Sequence, residues 1–409
     1  MASLNASAAV AQAVLIKGAR VHTVGDAGTL ENADVLVQDG RIADVGTGLA
    51  APAGARVVEA RGRPLTPGMF GGLTQIGIEE VELEPSTVDA EITFEAPLWQ
   101  HHWRPEFDVT PAFNPRSSLL PVTRIEGMTW TMLTPTAEQS LVAGQGAAVT
   151  LDGRADAALD GSRTLFVNWG SAAIEASGGS RAAQYMLFDQ AIAEVRNPDA
   201  AREGALLLPE GRAALKSYLA GGRVVFRVER AADIRRLVRY AADHGIKPVV
   251  AGGTEAWQVA RELAAANVPV ILNPLDNLPD DFDRLGARFD NAKLLHEAGV
   301  PIAFSWIESH QARKNRQLAG NAAAHGLPRD AALAAITASP ADIFGLGADR
   351  GRIEKGKVAD LVLWSGDPLE VTTVAEQVWI DGRAIEMRSR QTELRDRYLE
   401  RLRSGRATP

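Results

Sequence analysis

Alternating apolar and polar residues open the chain. Val14-Leu15-Ile16-Lys17-Gly18-Ala19-Arg20-Val21 reads as one strand, and Ala33 to Ile42 reads as two, joined at Asp39-Gly40. An Asp-Gly pair between such runs predicts a tight hairpin, because both central positions need positive φ. The pattern returns near the other end, with strands over 359–364 and 378–383 and a second turn at Asp381-Gly382. Two β pieces bracketing a long middle predict one small composite β-sandwich domain built from 14–66 and 349–390.

The middle, 67–348, alternates strand-like runs with helical periodicity. After the strand 223–228, Ile234, Leu237, Val238 and Ala241 share one helical face over 231–244, closed by Gly245. The strand 247–251 precedes a helix expected to be capped by Thr254. Val270 to Asn273, a helix around 284–298 and Pro301 to Phe304 follow. Repeated βα units predict a parallel sheet, and at this length an α/β fold with a (β/α)8 barrel. Leu394, Tyr398, Leu399 and Leu402 form a stripe on a C-terminal surface-packing helix, with 391–409 as helix and tail.

Length and composition narrow the function classes. At 409 residues the chain exceeds a single domain of about 150 residues, although a barrel absorbs more. Apolar residues make up 46% and charged residues 23%, an ordinary globular balance. The formal net charge of −8 argues against a nucleic-acid partner, which needs a basic face. No run reaches the ~18 apolar residues of a membrane span. The chain has no cysteine, so any metal would rest on carboxylates, a modified lysine or the seven histidines. Residues 1–13 read as a tail or a trimmed export signal ending near Ala9-Val10-Ala11, which leaves a periplasmic and a cytoplasmic location both open.

Three stretches carry a family resemblance: Pro64 to Phe70, Thr337 to Leu346, and Gly351 to Trp364. They resemble the amidohydrolase superfamily, in particular its imidazolonepropionase-related members. The resemblance implies a barrel holding one or two divalent metals at its strand ends, on two histidines of the first strand, one each on the fifth and sixth, and an aspartate on the eighth. It also implies an oligomer. The matching positions here are Leu73 and Gln75, Arg227, Gly252, and Ile307 (or, at a one-residue shift, Trp306 or Glu308). Leucine, isoleucine and glycine offer no donor, and a permanently charged guanidinium repels a cation. The expectation is therefore a barrel that has lost its metal ligands and carries no cofactor. It would bind a ligand or partner an active homologue. The alternative is a hydrolase of amide C–N bonds working through another site.

The remaining chemistry centres on a few residues. Arg227 reads either as a cation for a carboxylate or phosphate ligand, or as one paired with Glu79, Glu80 or Glu308. Gln75, Asn273 and Asp276 are further ligand-binding candidates for a small anionic or amide ligand, although Asn273, Asp276 and Asn277 also suit a turn beside prolines. His310 and Glu308 are the candidate catalytic groups, His310 as a general base or a plain surface residue. The adjacent His101 and His102 read as a loop interface, with a displaced metal site as the other reading. Gly351 to Lys357 has phosphate-loop spacing but leads into a strand, and is set aside.

Overall fold

A computed structural model describes residues 12–92, 103–197, 204–306 and 308–404. Thus Ala9-Val10-Ala11, His101, His102 and Ile307 lie outside the described residues.

The front of the chain supplies β1 (Val14–His22), β2 (Thr29–Gln38), β3 (Arg41–Gly46), β4 (Arg56–Glu59) and β5 (Pro64–Pro67). The middle supplies β6 (Met69–Thr74), β7 (Met128–Leu133), β8 (Val142–Gly146), β9 (Ala148–Thr150), β10 (Thr164–Asn168), β11 (Arg223–Val228), β12 (Lys247–Gly252), β13 (Val270–Leu272) and β14 (Ile302–Phe304). Then come β15 (Leu361–Trp364), β16 (Ala375–Ile380) and β17 (Arg383–Ala384).

The two ends join in one eight-stranded sheet of order β17-β16-β15-β5-β1-β2-β3, with β4 beside β1. The strands expected to form a sandwich are thus hydrogen-bonded in one continuous order. Its hairpins turn as their sequences predict: φ is 49° and 78° at Asp39 and Gly40, and 49° and 71° at Asp381 and Gly382. The two turns touch, since a Cβ on Gly382 would lie 2.7 Å from Gly40 Cα. Behind them the buried Arg350 donates to both Asp360 and Asp381.

The middle departs from a closed, all-parallel (β/α)8 barrel. Its strands form two sheets, β14-β13-β12-β11-β10-β8 and β6-β7-β9. Strands β10 to β14 are parallel as predicted, but β8 runs antiparallel to β10 and β9 antiparallel to β7. The cause is chain length. Leu133 and Val142 are closer in sequence than the dozen or so residues a parallel crossover requires, so the chain folds back instead. At this seam Leu133 N–H donates to Ala147 O at 3.0 Å. Gly146 permits the approach, because a Cβ there would lie 2.9 Å from the Leu133 carbonyl carbon.

The opposite seam, between β6 and β14, is bridged by side chains, Asn315 deepest among them. Buried Asn315 donates its amide to Phe70 O at 2.8 Å and Phe304 O at 3.0 Å. Phe70, Trp130, Phe166, Val225, Ile271 and Phe344 pack into one core beneath the strand ends.

The helix Ala231–His244 matches its predicted bounds, buries Ile234, Leu237 and Ala241, and ends on Gly245 at φ 70°. Three expectations fail. Thr254 caps no helix: its hydroxyl donates to Glu229, and a 3-10 turn, Ala256–Val259, precedes the helix Ala260–Ala265. The helix expected around 284–298 shortens to Asn291–Glu297, because Arg284 and Gly286 are engaged by Glu229 and Glu255. The C-terminal helix Arg390–Arg403 fully buries none of its residues: Leu394 is half-buried, and Tyr398, Leu399 and Leu402 of its apolar stripe are exposed.

Replacing Asn315 by alanine leaves two buried carbonyls without that donor, at a cost of roughly 2–3 kcal/mol. Chemical denaturation should show a lower midpoint with an unchanged slope. An unaltered midpoint would mean that the seam does not depend on this side chain.

Candidate functional site

A cavity of about 980 Å³ opens at the C-terminal ends of the central strands. All six residues singled out from the sequence line it: Gln75, Arg227, Asn273, Asp276, Glu308 and His310. Strand direction explains the convergence. Gln75 immediately follows β6, Arg227 lies at the end of β11, Asn273 follows β13, and Glu308 and His310 follow β14. Parallel strands bring those ends to one face.

Arg227 sits on the floor. Its Nη1 donates to Asn168 Oδ1 at 3.1 Å and its Nη2 to Pro135 O at 2.7 Å, and its guanidinium lies 5.6 Å from the centre of the Phe166 ring. Among the described residues no carboxylate lies within ion-pair distance of it. The expected pairing with Glu79, Glu80 or Glu308 is therefore corrected. Glu80 instead accepts from the backbone and hydroxyl of Ser118, and Glu308 is exposed. Burial alone pushes the Arg227 guanidinium down to about 10.

The opposite wall is acidic and organised by Arg284, which the sequence reading missed. Its guanidinium lies 3.3 Å from Glu229, 3.3 Å from Asp281, 3.8 Å from Asp280 and 3.9 Å from Asp276. Glu229, also missed, accepts from Thr254 N–H at 3.0 Å and Thr254 Oγ1 at 2.7 Å. Asn273 serves as a turn residue as well as a wall residue: its Oδ1 accepts from Leu275 N–H and its Nδ2 donates to Asp276 at 3.2 Å. His310 lies exposed on the 3-10 segment Ser309–Lys314. Glu79, nearby, has its carboxyl raised by burial and by Glu82, against an opposing effect of His310.

Solved structures place this architecture. An amidohydrolase from Thermotoga maritima MSB8 superposes with a TM-score of 0.80 at 24% identity, covering 92% of this chain and 100% of that one. Residues 297–385 match the model of the amidohydrolase family. The chain thus shares its fold with that amidohydrolase. Two curated relatives are alike over short stretches. Amidohydrolase tasK of Hapsidospora irregularis is 52% identical over 60 residues, which is 15% of this chain and 6% of that protein. A dihydroorotase of Geobacter sulfurreducens is 52% identical over 57 residues, 14% of this chain and 13% of that protein. The matched stretches thus span only a small part of either relative.

In this amidohydrolase fold, the position that the resemblance assigns to the sixth-strand ligand is Gly252. It has φ 95°, and a Cβ there would lie 2.7 Å from Glu229 Cδ. The Glu229 carboxylate therefore fills the space a side chain at 252 would need. Ser305 Oγ accepts from Leu73 N–H and Ser309 Oγ from Gln75 N–H, so the β6 end is held by its backbone. Among the described residues no cluster of three or more His, Asp or Glu side chains is arranged to hold a metal ion. Gly351 to Lys357 serves the fold, with Lys357 Nζ donating to Gly347 O at 2.7 Å.

Asp276 is a second cavity carboxyl with a raised pKa. Burial raises its carboxyl to about 6 from an ordinary 3.8; Arg284 opposes the rise, while Glu229, Asp280 and Glu308 add to it. A raised folded-state value means that this carboxyl favours the fold below about pH 4. That contribution is lost as pH rises through about 6. Asp276→Asn should match the parent near pH 4 in urea unfolding and gain on it toward pH 7. A parent that gains on the variant across that window would contradict the assignment.

Proposed function

We propose that this protein binds a small ligand in the strand-end cavity without a divalent metal, acting as a binding protein or as the partner of an active homologue. The observation carrying this reading is the Glu229 carboxylate beneath Gly252, held by Thr254 and Arg284 where the resemblance places a histidine ligand. The donor chemistry supports it. A half-buried guanidinium stands at the fifth-strand position, Leu73 offers no donor, and Gln75 is a weak neutral one. These residues do not fit a divalent ion, which in a hydrolytic site takes about three protein ligands. The stretches over 64–70, 337–346 and 351–364 support, within the same proposal, a place beside imidazolonepropionase-related members.

A second reading, hydrolysis of amide C–N bonds in the same cavity, is favoured by the amidohydrolase family match over 297–385. Elemental analysis of protein purified without chelator or metal-affinity resin separates the two. The binding reading expects below ~0.1 metal ion per chain and a thermal midpoint indifferent to chelator. Stoichiometric zinc, iron or manganese with chelator-sensitive amide hydrolysis would establish the second reading.

A further inference from the structure

The cavity holds two arginines in opposite states. Arg284 faces four carboxylates. Among the described residues Arg227 faces none: its partners are a neutral amide, a backbone carbonyl and an aromatic ring. Arg227 is half-buried, and a charge drawn partly out of water without a counter-charge is costly, so proteins ordinarily pair it. A guanidinium has five N–H donors, and the two bonds seen here leave enough for a bidentate grip on a carboxylate. Phe166 and Asn168 fix the plane of the fork, so little freedom remains to be lost on binding.

The rest of the lining restricts what such an anion can be. Glu138, Glu229, Asp276, Asp281 and Glu308 share the cavity with Arg227. A dianion would meet one free positive charge and a wall of negative ones. A single carboxylate balances Arg227, and a neutral or cationic remainder suits the acidic side, where Asp276 and Glu229 present acceptor oxygens. Leu73, Ile271 and Trp306 add apolar surface to the same cavity.

We propose that Arg227 is the receptor for a small monocarboxylate whose other end is neutral or cationic, docked with its carboxylate on the floor and its remainder against the Asp276–Glu229 wall. This rests on the metal-free reading of the cavity and names its ligand class.

The test uses the full chain with its metal content already measured, by thermal shift and calorimetric titration. Four probes are used at about 10 mM, an excess over a Kd of ~1 mM. They are hippurate (neutral remainder), glycylphenylalanine (cationic remainder), succinate and inorganic phosphate. Hippurate and the dipeptide should raise the melting temperature, while succinate and phosphate should not. Arg227→Met should weaken the monocarboxylates about tenfold or more, the loss expected for a charge-assisted pair. Arg227→Lys keeps the charge without the planar fork, and should also weaken them if the methionine variant fails to fold. Three results would overturn the proposal: no shift with either monocarboxylate on metal-free protein, equal affinity in parent and folded variants, or succinate or phosphate binding as well as hippurate. Stoichiometric metal in the starting protein would instead strike at the metal-free reading itself.

Discussion

The Glu229 carboxylate is the tie on which the strand-end architecture depends. A carboxylate set between two parallel strands must be satisfied by donors from both sides, and here they come from Thr254 after β12 and Arg284 in the loop after β13. The consequences spread outward. Thr254 is drawn away from capping, so the next helix starts late, at Ala260. The following Glu255 reaches back to the N–H of Ala231, at the start of the preceding helix, and across to Gly286 N–H. Asn291 closes the web by donating to the carbonyls of Gly253 and Thr254. Successive βα loops are thus joined by side chains, which suits a cavity wall that must keep its shape.

The loop carrying Arg284 is fastened from a second direction. Asp283 accepts from Arg181 at 2.7 Å and from the backbone of Ser171 at 3.2 Å. One acid therefore grips the outside of the loop while Arg284, its neighbour, faces inward. Arg181 and Asp233 extend that grip to the helix Ala231–His244. With both faces engaged, Glu229 and Asp276 are built into the fold, while Asp280 and Asp281 remain exposed at its rim. That is why burial, more than any single neighbour, governs Asp276.

What could be read from the sequence followed the range of the interaction responsible. The two Asp-Gly turns and the helix Ala231–His244 are set within a few residues, by required φ values and by one apolar face, and they stand as predicted. The six cavity residues were reachable because strand ends and the loops after them are readable from βα alternation. Features set by distant partners were not. Nothing in the spacing of Glu229 and Arg284 announces their pairing, although one arginine among Asp280, Asp281 and Asp283 was a signal that it would be held by acids. The reversal at β8 and β9 was hidden for another reason: a buried strand reads as the same apolar run whichever way it points. Only the short connection after Leu133 distinguishes them.

The contrast between the two cavity arginines follows from where each was placed. Arg284 lies on a loop, where acids four and three residues back can turn toward it at little cost. Arg227 lies on a strand, whose neighbours alternate faces and whose adjacent strands present Asn168 and Ala251 at its level. The acid nearest to it in its own segment, Glu229, is taken by Thr254 and Arg284, so the Arg227 charge is met only by what the neighbouring strands carry or by what enters the cavity. Asn168 shows the limit of the first route, because it supplies a dipole and spends its own amide on Ala137 O. The Phe166 ring adds a weak, non-directional attraction that fixes orientation more than it offsets charge. The electrostatic demand of the site therefore faces the open side of the cavity, and the fold leaves room there for a ligand of one negative charge.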